Sequence, residues 1–524
     1  MVGSEQGDLL ARERTFMMTN PRTNYQKTTV LAFSLHASSA DHSLPGGSGF
    51  LCRLVPAWLC GTFVLASSAG LWAQTFTVIY TCSGPSAPSF GKLLSSGNTL
   101  YCIGSGAYGN GSVFRVNTDG RGYSTLKSFS PAHASTNGVL TNSDGVAPLA
   151  GVVLGGDTLY GTTYEGGAWG MGTVFSLNTN GTGLTVLRHF SGGDGKAPYA
   201  ELLLVSNILY GTTAAGGASN RGAIFQLNTD GSGFNLLKSF AGTDGLLPLG
   251  GLTFSDGVIY GTTYQGGASN HGTVFSIHAD GTSFKLLKEF TGQDGSNPRY
   301  NLVVSGTSIY GTTEGGSDLS QSLVYQLSTD GTYYRILKTF SALDPGSGTN
   351  DDGYLVRSGL AASGGALFGT TSEGGNYASG VVFALRMDGS AYTVLRHFSI
   401  SADNSDGVLT NNDGAQPLPS LVLSEGTLYG TTQAGGGAGQ GTVFGLSIAP
   451  QIQPDPISAA TATNGFALNI TGYSNQIITV ESSSNLRTPG WQPLQTNTLG
   501  AGPVHFADLN WTNHPQRFYR VRAQ

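Results

Sequence analysis

The phrase Leu-Tyr-Gly-Thr-Thr, or a close variant of it, is written seven times along this chain. It begins at Leu100 (as LYCIG), Leu159, Leu209, Ile259, Ile309, Leu367 (LFGTT) and Leu428, at spacings of 59, 50, 50, 50, 58 and 61 residues. Self-similarity at roughly 20–50 residues marks an architecture in which one unit cannot bury its own apolar face and relies on its neighbours. Each phrase is followed by an aromatic strand such as GTVFSL from Gly172 or GAIFQL from Gly222, then by Asn-Thr-Asp-Gly, as at Asn228–Gly231. Asp-Gly between apolar strands is a hairpin signal, because Gly takes the positive φ that the turn demands. A Leu-Leu-Lys-x-Phe strand comes next, as in Phe234–Phe240, and an Asp-Gly-x-x-Pro loop then leads to a short apolar strand such as Leu202–Val205. Taking that short strand as the first of a unit, each unit holds four strands, which suits a propeller blade better than a solenoid coil.

The two ends of the array complement one another. The last unit stops after GTVFGL (Gly441–Leu446) without its fourth strand, while TFTVIYTC (Thr75–Cys82) reads as a fourth strand with no partners before it. The expected fold is therefore all-β: a seven-bladed β-propeller over residues 74–448, four strands per blade, closed by the N-terminal strand. Closure leaves no sheet open at the ends of the array, whereas a solenoid needs capping repeats. The glycine after Leu-Tyr is expected to let a neighbouring sheet approach closely.

Composition agrees. Gly accounts for 80 of 524 residues and charged residues for 11%, against a usual ~25% charged. Short strands and tight turns need little else. A net charge of −6 without a Lys/Arg run excludes nucleic acid as an expected partner. Leu54 to Ala73 is an uncharged apolar run after Arg53, the pattern of an export signal, here assigned to residues 53–73. The alternative is a membrane anchor, since twenty such residues can span a bilayer. Residues 1–52 lack hydrophobic periodicity and are read as an unstructured extension. The expected product is exported, extracellular or on the cell surface with a periplasmic location as the alternative, without an integral span once the signal is removed, and monomeric. Cys82 and Cys102 are the two cysteines after the signal, and either a disulfide or two buried small hydrophobes accounts for them.

After the repeats, Ala449–Pro456 reads as a Pro-rich linker, and residues 457–524 as a small β-sandwich-like domain of short alternating segments. The strand order of the repeats resembles that of Kelch-type propellers. The pattern LYGTT..GG....GTVF.LN.DG is more closely similar to the choice-of-anchor tandem repeat proteins (GloVer-type repeats) of exported bacterial proteins, over about Thr75–Ile448. That resemblance implies an exported repeat domain followed by varying attachment segments, and it brings no catalytic residues to carry over.

No metal or nucleophile motif is present: His-Glu-x-x-His, Cys-x-x-Cys and Gly-x-Ser-x-Gly are all missing from the sequence. No cofactor, metal or catalytic residue is therefore assigned. His189 and His397 are read as sharing the fourth-strand position of Lys238, Lys288 and Lys338. Asp144, Asp194, Asp244, Asp294 and Asp413 recur before the first strand, as turn formers or, alternatively, as calcium ligands. Function on a ring of like units must come from what breaks the likeness. Connections from second to third and from fourth to first strand emerge on one face, and the variety falls there. Trp169, Arg221 and His271 vary in the former, and Arg299 and Tyr300 break the pattern of the latter. These five are the candidate ligand-binding residues, aromatic and Arg side chains being strong interface anchors. The leading expectation is a non-catalytic binding module for a glycan, protein or cell-surface partner. The alternatives are a carbohydrate-active enzyme with carboxylates such as Glu165, Glu201, Glu314 and Glu373 at the ring's mouth, or a structural envelope component.

Overall fold

The computed structural model describes residues 30–31, 75–84, 91–104, 110–135, 138–315, 321–405, 407–418, 420–454, 466–473, 475–484, 490–500, 503–508 and 518–523. The expected export signal lies outside them. No α-helix occurs among the described residues, and none of their elements is a helix long and apolar enough to cross a membrane.

Six four-stranded antiparallel sheets repeat one order, and a five-stranded sheet ends the series, giving a propeller-like architecture. In the third unit the strands are Leu203–Val205, Ile208–Thr213, Ala223–Asn228 and Asn235–Ser239. The last sheet departs from sequence order. Val422–Ser424, Thr427–Ala434 and Thr442–Ser447 are joined by Phe76–Thr81, which pairs antiparallel with Thr442–Ser447. First strands adjoin from the second sheet to the fifth and from the sixth to the last, and Leu94–Ser96 of the first sheet meets Val422–Ser424 of the last.

The repeated letters have local causes. Gly211 pairs with Phe225 across the second and third strands, and a Cβ at Gly211 would lie 2.5 Å from Phe225 Cζ and 2.8 Å from Leu202 Cδ2. The glycine thus makes room for an aromatic ring and a leucine of its own unit, not for a neighbouring sheet as the sequence suggested. The second threonine of the phrase ties the next loop: Thr163 Oγ1 donates to the Glu165 carbonyl (3.0 Å) and accepts from the Thr173 amide (3.1 Å). The recurring aspartates anchor the connection between fourth and first strands. Asp244 pairs with Lys238 and accepts the Ala241 amide at 2.7 Å. Asp294, Asp194 and Asp413 pair likewise with Lys288, Arg188 and Arg396, so the aspartates serve cationic side chains of their own units. Burial raises the Asp194 carboxyl, but the Ser191 amide and Arg188 outweigh it and hold the group below its usual range.

The same cations bind successive sheets together. Arg188 lies over the Phe234 ring of the next unit at 3.9 Å, and Lys238 over Phe284 at 4.7 Å. Arg396 lies over Phe76 at 4.4 Å. Phe76 also stacks on Phe444 and meets Phe398 edge-on, as Phe234 does with Phe225 and Phe190. The N-terminal strand therefore makes, from the other end of the chain, the contacts that a fourth strand makes elsewhere.

Cys82 and Cys102 sit at the junction between the last and first sheets. Cys82 follows the Phe76–Thr81 strand where Phe240 follows Asn235–Ser239, and Cys102 stands opposite Phe114 where other units have glycine. The pair exchanges a Phe and a Gly for two residues of middling size, a volume-conserving swap. Both are free thiols, buried in one apolar cluster, and burial pushes Cys82 up to about 12. Only a thiolate is reactive, so neither cysteine should react with a thiol reagent at pH 8 until the protein is unfolded. Rapid labelling of the native protein would contradict this packing, and absence of labelling after unfolding without reductant would indicate a disulfide.

The C-terminal residues form two small sheets around Leu468, Ile470, Ile478, Val480, Leu499, Phe506, Tyr519 and Val521. Two expectations are corrected. Gln451–Pro454, read as linker, is an edge strand on Phe466–Thr471, a place where proline is tolerated. Val30–Leu31, read as unstructured, pairs with Arg520 and Tyr519 on an otherwise open edge.

Candidate functional site

The residue before the first apolar residue of each inner segment is, in chain order, Lys92, Gly151, Glu201, Gly251, Asn301, Gly359 and Ser420. Polar side chains alternate with glycines. These segments converge on a cavity of about 290 Å³, which all seven residues except Gly359 line. The glycines permit the convergence: a Cβ at Gly251 would lie 2.8 Å from Asn301 Nδ2, and one at Gly359 2.7 Å from Ser420 Oγ. Long side chains then bridge alternate units. Asn301 Nδ2 donates to Glu201 Oε1, and Lys92 Nζ lies 3.5 Å from the same oxygen. Lys92, Glu201 and Asn301 also line an inner cavity of about 620 Å³, to which all seven units contribute. They form a polar layer between mouth and channel.

Two residues earlier, the equivalent positions are Leu149, Tyr199, Leu249, Arg299, Arg357 and Leu418 in the described units. Arg299 donates to the Tyr199 hydroxyl, its guanidinium lies 5.0 Å from the Tyr199 ring centre, and Nη1 is 3.4 Å from Glu314 Oε1. The Tyr300 hydroxyl donates to the same Glu314 oxygen at 3.1 Å. Burial opposes the charge on Arg299, but the phenols of Tyr300 and Tyr199 and the Glu314 carboxylate outweigh it and hold the guanidinium protonated. Burial, with Glu314 next, keeps the Tyr300 phenol well above its ordinary range. Arg357 is exposed at the rim, with no hydrogen bond or ion pair among the described residues.

Of the sequence candidates, Arg299 and Tyr300 lie together at this mouth. Trp169, Arg221 and His271 do not line it. They occupy connections between second and third strands, where Arg221 lies over Gly242 and His271 over Gly292. Those connections do share a face with the fourth-to-first ones, as the bridges Lys196↔Ala215 and Leu246↔Gln265 require. Trp169 is 60% exposed, and the neighbouring Gly170 touches the exposed hairpin residues Val139 and Leu140. Lys92, Tyr199, Asn301 and Arg357 were missed. Aligning the residues just before each inner strand would have singled them out, because Gly151, Gly251 and Gly359 stand at one of these positions and Leu149, Leu249 and Leu418 at the other.

The histidine reading is also corrected. Pairing sets Arg188, not His189, beside Val174, as Lys238 is set beside Ile224. His189 corresponds to Ser239 instead. His189 Nδ1 and His397 Nδ1 accept the amides of Ala168 and Asn376, each at 3.1 Å, and burial lowers both histidines.

Repeated strand-rich sheets with a symmetry-breaking mouth define a propeller-like tandem-repeat protein. The chain matches the Gloeobacter/Verrucomicrobia repeat over residues 61–252, 132–322 and 254–455, and it belongs to that family. No curated protein matches it in sequence. Solved structures it is similar to include an oligogalacturonate lyase in complex with manganese, at 11% identity over 72% of this chain and 96% of that one, with a TM-score of 0.44. Others are the tricorn protease, at 14% over 79% and 36% with a TM-score of 0.35, and TolB from Acinetobacter baumannii, at 16% over 54% and 58% with a TM-score of 0.33. At such values neither ligand nor activity transfers.

Proposed function

We propose that this chain is an exported, non-catalytic binding module. In this reading it is a seven-bladed propeller closed by Phe76–Thr81, and its mouth takes up a glycan or a group presented by a protein or cell-surface partner. The observation that carries the reading is the departure of Lys92, Tyr199, Glu201, Arg299, Asn301 and Arg357 from the Gly and Leu of other units. Packing alone would be met by the repeated residues, and polar groups converging in a concave site are the general mark of ligand binding. The exposed Trp169, Val139 and Leu140 add an apolar patch on the same face.

A two-carboxylate hydrolase is the weaker reading. Such chemistry needs a pair of carboxyl groups ~5–10 Å apart across the substrate. Glu201 is the one carboxylate lining the mouth among the described residues, and Lys92 and Asn301 engage it. Glu314 is held by Arg299 and Tyr300, while Glu165 and Glu373 lie outside the lining.

The test is a glycan and surface-protein binding screen with protein recovered from the producing cells, its N-terminus sequenced. Binding without sugar release is expected, with a start near Gln74. Arg299→Ala should weaken binding at least about tenfold, the scale of a charge-assisted contact, and should also lower the melting temperature, because Glu314 loses its cation. Sugar release, or binding untouched by Arg299→Ala, would overturn the reading.

A further inference from the structure

We infer that the mouth selects an anionic ligand, specifically a carboxylate carried on a sugar, and that Arg357 is the group that receives it. The inference rests on the binding reading above and narrows it to a chemical class.

Charge is the first observation. The chain carries a net charge of −6, yet the mouth is lined by Lys92, Arg299 and Arg357 against Glu201 alone. The three cations are not equivalent. Lys92 faces Glu201 at 3.5 Å, and Arg299 is engaged by Glu314 and Tyr199. Arg357 projects from the equivalent position of the next unit after Arg299, with no hydrogen bond or ion pair among the described residues. The fourth-strand cations are used differently: Arg188, Lys238, Lys288, Lys338 and Arg396 each have an aspartate. An unpaired guanidinium facing a concave polar site stands apart from that habit.

Chemistry narrows the ligand. A guanidinium presents parallel N–H donors that match the two oxygens of a carboxylate. On the same wall Asn301 bonds Glu201 and the Gly251 amide and Ser420 accepts the Gly359 amide, which leaves the second N–H of the amide and the hydroxyl proton as neutral donors. Tyr199 adds an aromatic surface, although Arg299 covers part of it. At about 290 Å³ the space is that of a small unit rather than a folded partner, so a polymer would enter by one residue or by its end. Carboxylate at Arg357 and hydroxyls against Asn301 and Ser420 describe an acidic sugar.

The experiment titrates the full chain with sodium glucuronate, with glucose, sodium acetate and sodium sulfate as comparisons, following heat of binding and the shift of side-chain resonances. Glucuronate should bind, and Arg357→Ala should weaken it at least about tenfold, with Arg357→Lys recovering part of the loss because charge returns without the planar fork. Glucose should bind at least tenfold more weakly than glucuronate. Affinity should fall with added sodium chloride. Equal binding of glucose and glucuronate, unaffected by Arg357→Ala, would overturn the anionic inference while leaving the binding-module reading standing. Binding of sulfate or acetate as tight as glucuronate would overturn the sugar requirement. If none of the four binds, the inference fails, whereas the broader reading stands or falls on the glycan and surface-protein screen. Melting of both Arg357 variants should match the parent, since Arg357 is exposed and has no hydrogen bond or ion pair among the described residues.

Discussion

A chain lacking residues 75–82 is expected to lose its cooperative melting transition and to aggregate. The missing strand would leave Thr442–Ser447 with unpaired backbone groups along a full edge, a template for pairing with other chains. It would also remove Phe76 from between Phe444 and Phe398, Phe76 from beneath Arg396, and Tyr80 from its stack on Tyr123 at 4.7 Å. Phe76 and Tyr80 are half-buried, while Ile79 and Cys82 are buried; removing one buried Ile-sized side chain commonly costs ~2–5 kcal/mol, and a domain's whole stability is ~5–15 kcal/mol. The buried side chains, the ring contacts and the strand's backbone pairing together therefore rival the total. Calorimetry and light scattering read the outcome. A truncated protein that melts as the full chain does would show that the strand is an accessory.

Gly211→Val should destabilise the protein by ~1–3 kcal/mol through overpacking. A Cβ there meets Phe225 and Leu202 below normal contact distance, and both belong to well-packed neighbours. The cause can be isolated with Phe225→Ala, which alone should cost ~3–5 kcal/mol. Combined, the two changes should cost less than their sum, because the valine methyl groups enter space that the ring has left. A coupling of ~0.5–3 kcal/mol is the range for residues in contact. Denaturant melts of the parent, both single variants and the double variant supply the cycle. Strict additivity would mean that the ring does not lie over the glycine and that some other contact demands it.

Strands and turns were legible because their determinants are local and repeated seven times. Asp-Gly turns and the Gly-Gly that follows each Leu-Tyr-Gly-Thr-Thr strand take positive φ, as at Gly231, Gly216 and Gly217. Terminal complementarity was legible for the same reason: TFTVIYTC matches a fourth strand position by position. What failed was whatever depends on packing partners that the repeated letters do not name. Gly211 looked like an inter-sheet contact, since the sequence does not say which ring crosses it. The residue before the loop proline takes positive φ at Ala197 and Leu247, as does Leu355 at the equivalent place, where Val356 replaces the proline, although Ala and Leu give no sign of it. His189 was set one residue out of register because Arg188 and Lys238 differ in letter while sharing a role. At the mouth, Arg299 and Tyr300 stood out as unusual letters, but Tyr199, which Arg299 bonds, and Glu201, which Asn301 bonds, each lie 100 residues from their partners in sequence. Arg357 was hidden by a unit whose connection is longer and lacks the proline that marks the others.

Hydrogen exchange of the Phe76–Thr81 amides, read beside Asn235–Ser239 and Lys285–Glu289, tests the closed ring most directly. If the N-terminal strand completes the last sheet, its amides should be as protected as those of the two internal fourth strands and should be released only with global unfolding. Exchange of Phe76–Thr81 at the rate of an unstructured chain, while Asn235–Ser239 and Lys285–Glu289 stay protected, would contradict the closure and the mouth that depends on it.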